Sequence, residues 1–166
     1  MVELVAHTPA EGLCPIEHGN CVLSEVHPGA ITWAASRVAA AGLPQPGQTL
    51  SQGGRDWIWF GPGQALVLGA PLEAGDGLVV SDQSDAWAVL RLAGESAADV
   101  LARLTPLDLR PQVFEAGQTA RTLLGHMAIS LTCRDTDVYD IMVFRSMTST
   151  AVHEIGRAMK GVAARG

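Results

Sequence analysis

Charge is scarce in this sequence. Asp, Glu, Lys and Arg together supply 17% of the 166 residues, below the quarter or so usual for soluble domains. So few charges cannot coat an entire free surface, and part of that surface is expected to lie against a partner. Basic clusters are lacking too: Arg91, Arg103 and Arg110 stand isolated, and the formal net charge is −6. A nucleic-acid binder needs a basic face, so that class is disfavoured. No stretch reaches the ~18 apolar residues of a membrane span. Met1-Val2-Glu3-Leu4-Val5 has neither the basic start nor the long apolar run of a signal peptide. Three cysteines make an odd count, unlike a secreted disulfide framework. These absences predict a cytoplasmic protein.

Phosphate and dinucleotide fingerprints are also missing. Gly53-Gly54 and Gly61-Pro62-Gly63 are the candidate loops. A P-loop needs a lysine after its last glycine, and a dinucleotide site needs a third glycine opening a helix. Neither follows here, and Pro62 withholds an N–H. These glycines are expected to serve turns, and no cofactor-binding residue is assigned.

What is present reads as one α+β domain of 21–166 preceded by an arm, 1–20. The domain is expected to comprise two lobes, 21–75 and 76–166. The arm is punctuated by Pro9, Gly12, Pro15 and Gly19, which favours an irregular segment laid along a neighbour. Cys21 to Val26 reads as a strand. The alanine-rich run from Trp33 to Ala41, stopping at Gly42 with Pro44 beyond, predicts a helix. Pro44 to Gly54 reads as a loop. Trp57 to Phe60 and Ala65 to Leu68 flank Gly61-Pro62-Gly63-Gln64 and predict a hairpin with a four-residue connection.

After a turn-rich link over Leu72 to Gly77, Ala86 to Leu92 reads as a strand. Ser96 and Asp99 form an N-capping signal. Ala97, Val100, Leu101 and Leu104 then mark one helical stripe, closed by Pro106. Three strands follow, Thr119 to Leu124, Met127 to Cys133 and Val138 to Phe144, the last two joined by Asp135-Thr136-Asp137. A final helix starts near Ser146 to Thr150 and aligns Val152, Ile155, Met159 and Val162. The pattern is two successive β-α-β-β units, with helices on one face of antiparallel sheets.

Candidate chemistry is sparse. Cys14, His18, Cys21 and Cys133 are zinc-ligand types, but the first three are loosely spaced and lack a local chelating pair. They are read as structural, with no metal residue assigned. Asp82 and Asp85, beside Ser81 and Ser84, invite an acid-pair reading. Neighbours three apart before a strand more often cap backbone N–H groups. His126 and Arg145 lie at strand edges. Ser146 lacks the flanking glycines of a nucleophile elbow and reads as an N-cap. No catalytic residue is assigned. Trp57 and Trp59 share a strand face, and with Trp33 they are the candidate partner-interface residues, since aromatic anchors dominate interfaces.

Several stretches, taken in order, carry a resemblance: Trp59-Phe60-Gly61-Pro62-Gly63 with Leu66-Val67-Leu68-Gly69, Val79-Val80-Ser81-Asp82-Gln83-Ser84, and Ala86-Trp87-Ala88-Val89-Leu90-Arg91-Leu92-Ala93-Gly94. Ala120-Arg121-Thr122 with Gly125-His126-Met127, and Val143-Phe144-Arg145-Ser146-Met147, complete the series. Their order and spacing resemble the gamma subunit of heterotetrameric sarcosine oxidases. The resemblance implies a non-catalytic chain in a complex with alpha, beta and delta subunits. That complex oxidises sarcosine to glycine, with hydrogen peroxide and either formaldehyde or 5,10-methylenetetrahydrofolate as products. It further implies that FAD, FMN, NAD, tetrahydrofolate and zinc are held by the partner chains, and that the fold is similar to the folate-binding domain of aminomethyltransferases. That wider similarity supplies the alternative: a free-standing folate-binding or one-carbon protein. No folate-contacting acidic residue maps onto this sequence.

Overall fold

The computed structural model describes residues 5–36, 42–75 and 77–165. Eleven strands and two helices are found among them. In chain order the strands are β1 (Ile16–His18), β2 (Cys21–Val26), β3 (Ala30–Ser36), β4 (Thr49–Gln52), β5 (Arg55–Gly61) and β6 (Gln64–Gly69). Then come β7 (Leu78–Asp82), β8 (Trp87–Ala93), β9 (Thr119–Leu124), β10 (Met127–Asp135) and β11 (Val138–Phe144). Helix α1 (Ala97–Leu101) follows β8, and α2 (Thr148–Ala163) closes the chain.

The strands form two antiparallel sheets. One has six strands in the order β1-β2-β8-β11-β10-β9, and the other five in the order β4-β5-β6-β3-β7. Alternation of side chains along each strand assigns every residue to a layer. On one face of the six-stranded sheet, Leu23, Leu90, Leu131 and Ile141 pack with Val100 and Leu101 of α1 and Ile155 and Met159 of α2. The opposite face presents Trp87, Val89 and Met142, which interlock with Ile31, Ile58, Leu66 and Leu68 of the five-stranded sheet. A third cluster of Ala34, Trp57, Ala65 and Val67 lies on that second sheet, where Leu43, Leu50 and Leu72 pack on it. The architecture is α+β, and among the described residues the α-helices pack on one face of the first sheet.

Several sequence expectations are corrected. Trp33 to Ser36 is strand, so among the described residues the first unit shows strands and no helix. Residues 37–41 of the expected helix lie outside the described residues. The helix propensity of alanine is a weak preference. Here Ile31-Thr32-Trp33 suits a pleated surface, and β3 hydrogen-bonds to β6 on one side and β7 on the other. The small alanines let Trp57 and Val67 pack closely against Ala34.

Thr49–Gln52 is a strand inside the expected loop. The hairpin connection is two residues, because Gly61 pairs with Gln64 across it. Gly63 has a φ of +68°, and a Cβ there would stand 2.8 Å from the Ser36 carbonyl oxygen. That close approach explains the turn glycine better than a phosphate does.

The arm is not separate from the domain. Ile16–His18 pairs with β2 at the sheet edge, and Ala10 is buried in the main core. Glu25 fixes the segment by accepting from Thr8 Oγ1 at 2.7 Å and from the Ala10 N–H at 3.0 Å. The two expected lobes are also redrawn, since β2 joins β8 in one sheet while residues 30–82 build the other. No side-chain hydrogen bond caps α1 at Ser96, nor does Ser146 cap α2, whose N-cap is Met147. Thr148 Oγ1 instead donates to the Arg145 carbonyl at 2.9 Å. The second half otherwise follows the expected β-α-β-β-β-α order. Among the described residues no helix is long and apolar enough to cross a membrane.

Candidate functional site

The gap between the two sheets ends differently at its two mouths. Trp87 and Arg91 on β8, Asp140 and Phe144 on β11, and Asp56 and Phe60 on β5 are each four positions apart. Each strand therefore carries a charged residue about 13 Å from an aromatic one. One mouth is polar, the other aromatic.

At the polar mouth, Arg91 and Asp140 are register partners on β8 and β11. The Asp140 side chain is 3% exposed, so its charge requires paired donors. Arg91 Nε donates to Oδ1 at 2.7 Å and its Nη2 to Oδ2 at 3.0 Å. Arg134 Nε, from β10, donates to Oδ2 at 2.6 Å. Arg134 Nη1 also bonds Asp56 of β5, which links the two sheets by an ion pair. Hydrogen bonding to Asp140 holds the Arg91 guanidinium more firmly protonated than usual.

Beside this chain of charges lies a cleft of about 540 Å³. Val26, Leu68 and Val89 give it an apolar wall, and the Gly53-Gly54 turn and Arg55 stand at its edge. Arg55 is held by the Ala70 and Pro71 carbonyl oxygens at 3.0 and 2.7 Å.

At the aromatic mouth, Trp87 stacks on Phe144 with centroids 4.5 Å apart and meets the edge of Phe60 at 5.8 Å. The Arg121 guanidinium lies 4.3 Å over the Phe60 ring, a cation–π contact. Phe144, which stacks on Trp87, is 46% exposed, and Met147 and Leu123 are exposed to the same degree, 45% and 46%.

The three candidate tryptophans do not form one patch. Trp57 is buried in the third cluster. Trp59, half-buried, shares its strand face, because residues two apart point the same way. Trp33 packs against the interlayer cluster of Ile31, Ile58 and Leu66 and donates from Nε1 to Gln64 Oε1 at 3.3 Å.

The remaining candidates are dispersed. Cys21 and Cys133 are buried and Cys14 is half-buried. Burial pushes all three thiols above their ordinary range. Among the described residues no three His, Cys, Asp or Glu side chains gather as metal ligands would. The Asp82 carboxylate accepts from Ser84 Oγ at 2.6 Å and from its N–H at 2.9 Å. It is thus a turn former, held below the usual carboxylate range by those bonds. Ser84 Oγ in turn accepts from the Ile31 N–H at 3.0 Å. His126 sits exposed in the β9–β10 turn, and Arg145 Nη2 donates to the His7 carbonyl at 2.5 Å.

The Arg91–Asp140–Arg134–Asp56 chain has no counterpart among the sequence candidates. Its signal is a single charge inside an apolar strand: Arg91 within Val89-Leu90-Arg91-Leu92, and Asp140 within Tyr139-Asp140-Ile141-Met142. Charges there must be paired, but naming the pair requires the strand register.

No protein-family model matches this sequence, and no curated protein matches it at the sequence level. Among solved structures the chain is similar to a chain of the heterotetrameric sarcosine oxidase from Corynebacterium sp. U-96, solved in complex with pyrrole 2-carboxylate. The similarity has a TM-score of 0.80 at 22% identity and covers 95% of this chain and 96% of that one. The shared fold extends over essentially the whole of both chains.

Proposed function

We propose that this chain is the gamma-type accessory subunit of a heterotetrameric sarcosine oxidase and performs no chemistry itself. The observation that carries the reading is the end-to-end fold similarity to a chain of such an assembly, 95% of one and 96% of the other. The partners are then alpha, beta and delta chains, which hold FAD, FMN, NAD, tetrahydrofolate and zinc.

The low charge content and the aromatic mouth support a packing role. Phe144, Met147 and Leu123 offer exposed apolar surface, Trp33 is a half-buried neighbour of the interlayer cluster, and Trp59 is half-buried. Trp57 is already buried within the chain. The folate-binding alternative is less favoured, since a pterin needs a mostly apolar enclosed slot and the cleft sets Arg55, Asp56, Arg91, Arg134 and Asp140 beside its apolar wall.

Omission decides the matter: co-expression of the three partner chains with and without this one, followed by a peroxide assay on sarcosine. The assembled oxidase is expected only with this chain present, and the chain alone is expected to be colourless and inactive. Full activity of the other three without it, or peroxide from this chain alone, rejects the reading.

A further inference from the structure

The cleft at the polar mouth carries more positive charge than its own aspartates balance. Arg91 and Arg134 share the buried Asp140, and Arg134 also reaches Asp56. Among the described residues Arg55 is held by neutral carbonyl oxygens. Among those residues three guanidinium groups therefore line a cleft with two carboxylates, one positive charge in surplus, in a protein whose overall charge is negative.

The bonds to Asp140 and Asp56 use Nε and Nη2 of Arg91, and Nε and Nη1 of Arg134. Arg91 Nη1 and Arg134 Nη2 are outside those bonds, on two side chains already fixed by a shared anion. Fixed guanidinium forks lose little freedom on binding a further planar anion. Beside them stand the apolar side chains of Val26, Leu68 and Val89, with the side-chain-free Gly53-Gly54 turn at the edge. The volume of about 540 Å³ is within the ~300–1,000 Å³ range of small-ligand sites.

We propose that this cleft binds a small organic monocarboxylate, its carboxylate on the free Nη groups of Arg91 and Arg134 and its apolar body against Val26, Leu68 and Val89. The surplus charge is Arg55's, at the edge of the cleft, and a single one matches a monoanion better than a phosphate dianion. The apolar wall adds burial that an inorganic ion cannot use. The site is independent of the subunit assignment, because every group in it belongs to this chain.

The test titrates the purified full chain with butyrate and benzoate. Butyramide and benzamide serve as neutral isosteres, and inorganic phosphate is run at matched ionic strength. Melting temperature and the ¹⁵N–¹H signals of the arginine Nε groups are read together. Saturable shifts of the Arg91 and Arg134 signals with the carboxylates, accompanied by a rising melting temperature, are expected, with neither amide reproducing them.

Ser51 is exposed on edge strand β4 and lines the same cleft. Ser51→Glu places a competing carboxylate there without touching the buried pairs, and is expected to weaken binding about tenfold, the equivalent of one charge-assisted hydrogen bond. No saturable shift, an equal response to the amides or phosphate, or undiminished binding in Ser51→Glu overturns the proposal. So does a Ser51→Glu defect confined to subunit assembly, which would assign the cleft to an acidic side chain of a partner.

Discussion

Arg91 and Asp140 face each other across β8 and β11, and the two nitrogens Nε and Nη2 grip the two oxygens of a carboxylate that is 3% exposed. Arg134 grips the same carboxylate from β10 and then crosses to Asp56 on the other sheet. A buried charge is tolerated only while its partners remain. Asp140→Ala leaves two guanidinium groups without their shared anion and is expected to cost about 3–5 kcal/mol of folding stability. Urea unfolding measures it. A loss below about 1 kcal/mol would mean that water already satisfies the arginines.

Gly94 marks the tightest backbone approach. Its φ is +131°, and a Cβ at this position would stand 1.9 Å from the Asn20 carbonyl oxygen. Gly94→Ala must therefore push the β1–β2 turn away from the end of β8, with an expected loss above about 2 kcal/mol. Gly54 is the control. It also has positive φ, +70°, but nothing lies within 4 Å of its would-be Cβ. Gly54→Ala is expected to cost only the conformational strain, about 1–2 kcal/mol. Equal losses in the two variants would show that the Asn20 contact relaxes freely.

Tyr139 supplies an alkaline signature. Burial first, then the charges of Cys133 and Asp137, push its phenol from an ordinary value near 10 up to about 12. The folded state therefore keeps the proton that the unfolded state gives up. Stability is full below about pH 10 and falls as pH rises, until the folded phenol itself ionises near 12. The loss across that window is on the order of 2–3 kcal/mol. Tyr139 is the sole tyrosine, so tyrosinate absorbance reports it without overlap. Tyr139→Phe is expected to remove this part of the alkaline loss. An unchanged pH profile would contradict the assignment.

The second half of the chain was largely legible in the sequence. Thr119–Leu124 and Val138–Phe144 keep their expected limits, and α1 and α2 lie on their expected apolar stripes. Local periodicity sufficed there because one side of the strands packs against those helices. The first half was less legible. The alanines of Ala34-Ala35 satisfy a helix locally, while only pairing with β6 and β7, far apart in sequence, makes Trp33–Ser36 a strand. The polar mouth was hidden for the same reason. Arg91, Arg134, Asp140 and Asp56 are scattered over 85 positions of sequence and meet only through register.

The central claim is that the aromatic mouth is covered by partner chains, and mass measurement of the reconstituted complex tests it most directly. Met147 is 45% exposed just beyond β11, three positions after Phe144. Met147→Glu should change the stability of the free chain by no more than about 0.5 kcal/mol, as for other surface positions. In an interface, however, it would bury an unpaired charge. Wild-type chain mixed with the alpha, beta and delta subunits is expected to give one species with the mass of a complete heterotetramer. The Met147→Glu chain is expected to remain separate from it at the same concentrations. A wild-type chain that elutes alone contradicts the account, and so does a Met147→Glu chain that assembles as readily as the wild type.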